Sequence, residues 1–161
     1  MSDEAIDKLN AVFDNYDHKQ DEIIKAEDDR EKKRAIFLEN FKQKCEEIIR
    51  PTMTKMGEAI KKRGHGYDII LQDDTTNGRD THSINVSIKM IILPNGKNAR
   101  EVPHIAFTTD GVHNKIRGHE NTIMDGRGGH AGATNEYKLS GITTEAIEKE
   151  IIKLITECFN K

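Results

Sequence analysis

The chain predicts an α+β fold. A long N-terminal helical arm or helical hairpin leads into a four- or five-stranded antiparallel meander, which a C-terminal helix covers on one face. Three observations predict it. Apolar residues recur at steps of three and four as far as Ile60, alternate with polar ones from Tyr67, and return to the helical period after Thr144. The expected organisation is one domain with an appendage. Residues 1–63 form the arm, whose C-terminal part packs on the sheet, and residues 64–161 form the sheet and last helix.

The first helix is expected over residues 3–16, where Ile6, Leu9, Phe13 and Tyr16 share one stripe beside Val12 and where Ser2 and Asp3 can cap. Asn15-Tyr16-Asp17-His18 is read as an interruption before a second helix over 20–62. The middle of that helix, Lys25 to Arg34, is almost wholly charged, so it must face water or a polar partner. Its apolar stripe resumes with Phe37, Phe41, Cys45, Ile48, Ile49, Met53, Met56 and Ile60. Pro51 falls inside this stripe and predicts a kink or a fresh start near Arg50. Gly64-His65-Gly66 ends the helix, and Lys61, Lys62 and Arg63 suit the negative end of its dipole.

Tyr67, Ile69 and Leu71 then alternate with Asp68, Ile70 and Gln72 as a first strand, and Asp73 to Thr81 reads as a polar loop. Ile84, Val86, Ile88, Met90 and Ile92 mark the second strand, ended by the turn Pro94-Asn95-Gly96. Val102–Thr109 and Val112 to about Gly118 are the third and fourth strands, with Asp110-Gly111 as a two-residue turn between them. Met124–Thr134 is a glycine-rich loop, Asn135–Leu139 a fifth strand, and Thr143 or Thr144 caps a helix burying Ile147, Ile151, Ile152, Leu154, Ile155 and Phe159.

Composition excludes several classes. The 161 residues are 35% hydrophobic, 33% charged and 5% aromatic, which allows a modest core and disfavours an aromatic-lined ligand pocket. The net charge is −3, and neither residues 1–63 nor 64–161 carry the positive excess of a duplex-binding domain, so nucleic acid is disfavoured as a partner. The two cysteines, Cys45 and Cys158, do not make a secreted disulfide scaffold. The acidic start Met1-Ser2-Asp3-Glu4 has no apolar leader and no run is long enough to span a bilayer, so the expectation is a cytoplasmic protein with no membrane partner.

Motifs give little chemistry. A two-residue turn would pair Thr109 with Val112 and His104 with Arg117, placing His104, His113, Lys115 and Arg117 on one exposed strand face; His119 joins them unless a bulge intervenes at Gly118. With Arg127 and His130 of the glycine-rich loop, these residues form a candidate anion site for a nucleotide, a nucleic-acid backbone or an acidic surface. That face lacks the aromatic residues on which single-stranded bases stack. His113 and His119 lie about 20 Å apart on a continuous strand and cannot share an ion. His119-Glu120 and His130, with Asp125, would converge only if the loop folds back, and no metal-binding spacing such as HExxH or CxxC is present, so no metal and no cofactor is expected. No nucleophile motif argues for an enzyme.

The function expected first is therefore a non-enzymatic protein–protein interaction module (adaptor, chaperone-like or inhibitor) that self-associates as a homo-oligomer or takes a partner through Ile6, Leu9, Phe13 and Tyr16. Anion binding is the alternative, and a metal-dependent enzyme the second alternative.

Overall fold

A computed structural model describes residues 2–74, 85–110 and 112–160. The element order is α1 (Asp3–Lys44), a π-helical turn (Cys45–Ile49), α2 (Arg50–Lys61), β1 (Gly66–Asp73), β2 (Val86–Leu93), β3 (His104–Thr109), β4 (Ile116–Asn121), β5 (Ala131–Tyr137) and α3 (Thr144–Phe159). The strands lie side by side in chain order, β1-β2-β3-β4-β5, and every neighbouring pair is antiparallel. The fold is α+β, as the change of period predicts. Among the described residues no helix is long and apolar enough to cross a membrane. Two compact units are present, residues 1–36 and 37–161.

The break expected at Asn15–His18 does not occur: α1 runs unbroken for 42 residues, so there is no helical hairpin. That stretch contains neither proline nor glycine, and its polar residues cost a few tenths of a kcal/mol each, too little to end a helix. The ion pairs Lys8–Glu4 (3.5 Å) and His18–Glu22 (3.2 Å), each one turn apart, support the helix on either side. Pro51 acts as expected, but by a specific device. It has no N–H to give, and the turn ahead of it widens so that the Arg50 N–H bonds to Cys45 O; the Thr52 hydroxyl donates to Ile48 O at 2.6 Å.

In the unit 37–161, Phe37, Phe41, Cys45, Ile49 and Met53 form one wall of the core. The inner sheet face, with Ile88, Met90, Ile105, Phe107 and Ile116, and the α3 residues Ile147, Ile151 and Leu154 complete it. Burial holds the Cys45 thiol up at about 12, and both cysteines are free. Gly57 packs against the Tyr67 ring so closely that a Cβ would sit 2.5 Å from Cε2. On α3, Thr143 is the cap, its hydroxyl accepting from the Ala146 N–H at 3.2 Å. Ile152 and Phe159, expected inside, are exposed; Glu150 and Cys158 take buried places instead. The strand Asn135–Leu139 is shifted toward the N-terminus, because the glycine-rich segment pairs with β4 from Ala131 onward. Most of the loop expected at Asp73–Thr81 lies outside the described residues, as do Ile84 and Gly111.

Candidate functional site

The β3–β4 connection departs from the two-residue turn. Thr109 faces Ile116, Thr108 faces Arg117 and His104 faces Asn121, a slip of four residues from the expected register. The reason lies in Asp110. Its carboxylate accepts from the Val112 N–H at 2.7 Å and contacts the His113 ring at 3.2 Å and the Arg117 guanidinium at 3.1 Å, while the Asp110 N–H closes the loop on Lys115 O. These donors hold the carboxyl low, at about 2. The longer turn also takes polar Asn114 out of the sheet interior, where the expected register would have set it against Phe107, and seats Gly118 there.

An even slip leaves each side chain on its expected face. His104, Arg117 and His119 remain together on the outer side, and the His104 and His119 rings stack with centroids 5.8 Å apart. Burial, with Lys89 and His119 nearby, pushes the His104 imidazole down to about 4. His113 and Lys115 fall in the turn instead of the strand. Several of these cations are engaged within the chain: Arg117 with Asp110, and Lys115 with Glu136 at 2.8 Å. Arg127 is also engaged, donating to the carbonyls of Glu157 and Cys158 at the end of α3.

On the inner side, two glutamates, Glu120 of β4 and Glu150 of α3, are buried where an apolar residue is the rule. Between Arg117↔Glu136 and His119↔Ala133, Thr134 and Asn135 together oppose Gly118, a β-bulge. The bulge lets two successive side chains reach the same group. Thr134 Oγ1 donates to Glu150 Oε2 at 2.7 Å, Asn135 Nδ2 to Glu150 Oε1 at 2.5 Å, and Tyr137 OH to the same oxygen at 2.8 Å. Gly118 is required here, because a Cβ would collide with Thr134 Oγ1.

Further along the same strand, Glu120 meets the folded-back glycine-rich loop. His130 Nε2 lies 2.8 Å from Glu120 Oε1 and 3.5 Å from Glu157 Oε2. Thr122 Oγ1 lies 3.4 Å from Nδ1 on the other side of the ring and accepts from the His130 N–H at 2.9 Å. Lys153 Nζ stands 3.8 Å from Glu120 Oε1. The sequence suggests convergence of His119-Glu120 and His130. Glu120 and His130 do meet, His119 points to the outer face beside His104, and Glu157 is the member it misses. The helical spacing of Glu150, Lys153 and Glu157 on one side of α3 is the signal that finds it. Asp125 does not join, since its carboxylate accepts from the Arg100 and Glu101 amides at 3.1 and 2.8 Å.

The stripe on α1 is open to solvent: Leu9 is 48%, Phe13 56% and Tyr16 59% exposed, and Ile6, Ile23 and Ile24 are exposed as well. Comparison with protein-family models, with curated proteins and with solved structures finds no match to this chain.

Proposed function

We propose that the chain is a non-enzymatic interaction module that self-associates through the first half of α1. The observation that carries this reading is the row Ile6, Leu9, Phe13, Tyr16 and Ile23, exposed to solvent on one unbroken helix. Steps of three, four, three and seven repeat on a seven-residue period, the spacing at which a second helix packs knobs into holes. Gln20 takes one position of that seam, and a polar residue there fixes register at some cost in stability. From residue 6 to residue 23 the stripe extends for about 25 Å. A second copy of the chain presents the same complementary row. Covering five such side chains offers on the order of 5–10 kcal/mol per chain, set against association costs of similar size. The informative measurement is therefore mass across a concentration range.

Sedimentation velocity of the full chain is expected to show mass rising above one chain with concentration. The double variant Leu9→Asp, Phe13→Asp is expected to stay at one chain, with thermal unfolding that matches the native chain at concentrations where the latter is also a single copy. A native chain that sediments as one copy at every concentration would overturn the reading. Association that survives in the double variant would do so too.

A further inference from the structure

We propose that Glu120, His130 and Glu157 form a binding site for one divalent transition-metal ion of the zinc class. Three elements contribute, namely the end of β4, the turn before β5 and the last turn of α3. One nitrogen and two carboxylate oxygens already lie within 4.8 Å of one another. Zinc bound tetrahedrally at about 2.0–2.1 Å sets neighbouring donor atoms about 3.3 Å apart. The two separations from His130 Nε2, 2.8 and 3.5 Å, bracket that value, and the two carboxylates, within 4.8 Å of each other, would draw together around the ion.

The second support is an unmet electrostatic demand. Glu157 Oε2, the oxygen that faces His130, and Glu120 Oε2, the second oxygen of the carboxylate whose Oε1 faces His130, are buried and have no hydrogen-bond partner among the described residues. The Glu120 side chain is only 4% exposed. Even a protonated His130 has a single N–H at Nε2, which can satisfy only one of the two carboxylates well. A divalent ion among the three would replace that one shared proton with a coordinate bond to each group. Burying a carboxylate oxygen without a partner is costly, and metal coordination is one of the few arrangements that relieve the cost.

The surroundings fit a metal site. Thr122 holds the far side of the imidazole and so keeps Nε2 turned to the carboxylates, the usual arrangement for a ligating histidine. Arg127, bonded to the Glu157 and Cys158 carbonyls, ties the helix end to the loop that carries His130. His130 is 56% exposed, which leaves an entry path and a fourth coordination position facing water. Lys153 is the competitor, a cation 3.8 Å from Glu120 Oε1. Its side chain is 54% exposed and can withdraw into solvent as the ion enters.

Zinc chloride titrated calorimetrically into the chelator-treated full chain is expected to bind at one ion per chain. Cobalt(II) is expected to give the intense visible bands of a four-coordinate site. His130→Ala, a change at an exposed position, is expected to weaken zinc at least tenfold and to erase those bands; Glu157→Gln is expected to act in the same direction. Lys153→Gln is expected to tighten zinc by several fold, which a structural role for Lys153 would not produce. Absence of one-to-one binding in the native chain would overturn the proposal. So would binding that His130→Ala leaves intact, because the ion would then sit on other histidines.

Discussion

Glu150 and Glu120 are both buried glutamates, each reaching the inner face of the sheet near β4, and they are treated in opposite ways. Glu150 accepts three hydrogen bonds, from Thr134, Asn135 and Tyr137, with both oxygens engaged. Glu120 has one oxygen beside His130 and Lys153 and the other facing no donor among the described residues. A carboxylate whose lone pairs are all claimed is part of the scaffold. A carboxylate with buried acceptor capacity left over can still take a ligand. The same element, α3, carries one of them and borders the other, so the contrast arises from the partners that β5 supplies. Its bulge sends two polar side chains to Glu150 and none to Glu120.

The largest expected effect is at the saturated end. Glu150→Ala removes the buried acceptor shared by three partly buried donors and opens a cavity, and should cost about 2–3 kcal/mol in urea unfolding. A loss below about 1 kcal/mol would break the contrast. Tyr137→Phe deletes one of the three bonds and should cost about 1 kcal/mol. It also carries a pH signature. Burial, together with the hydrogen bond and charge of Glu150, raises the Tyr137 phenol to about 12, from about 10 in an unfolded chain. Its folded value lies above the unfolded one, so its contribution is intact below pH 10 and is lost as pH rises from about 10 to 12. The native chain should therefore lose stability more steeply than Tyr137→Phe across that window, read by thermal unfolding at stepped pH. The smallest effect is expected at Glu120. Glu120→Gln in metal-free protein removes a charge that is only partly compensated, and should change stability by less than about 1 kcal/mol. A loss as large as that of Glu150→Ala would mean that Glu120 is as fully committed to the fold as its counterpart.

Much of the fold was legible because hydrophobic period is a strong signal. The switch at Gly66 separates helix from strand, and Pro51 marks the re-start of the helix at Arg50. What was not legible depended on side-chain contacts between distant residues. Asp110-Gly111 reads as a tight turn until the Asp110 carboxylate is seen to gather Val112, His113 and Arg117. The four-residue slip still left His104, Arg117 and His119 on their expected face, since the pleat has a period of two. Of the candidate site, Glu120 and His130 were reachable from the glycine-rich loop, but Glu157 lay 27 residues further on, in a different element. The sequence clue to all three glutamates is the same. Each sits where strand or helix period calls for an apolar side chain.

The widened turn at Cys45–Ile49 has a mechanical consequence. Phe37, Phe41, Cys45, Ile49, Met53 and Gly57 are all buried, every fourth position in succession. In a regular α-helix each such step overshoots a full revolution by about 40°, so five steps would carry the row through about 200°, from core to water. The π turn winds fewer degrees per residue and brings the row back into phase. Deleting a single residue inside the π turn would let it tighten to α pitch while Ile49 and Met53 keep facing the sheet, whereas a deletion in the regular helix on either side would rotate everything beyond it by about 100°. This stretch should therefore absorb the loss of one residue better than the regular helix on either side of it.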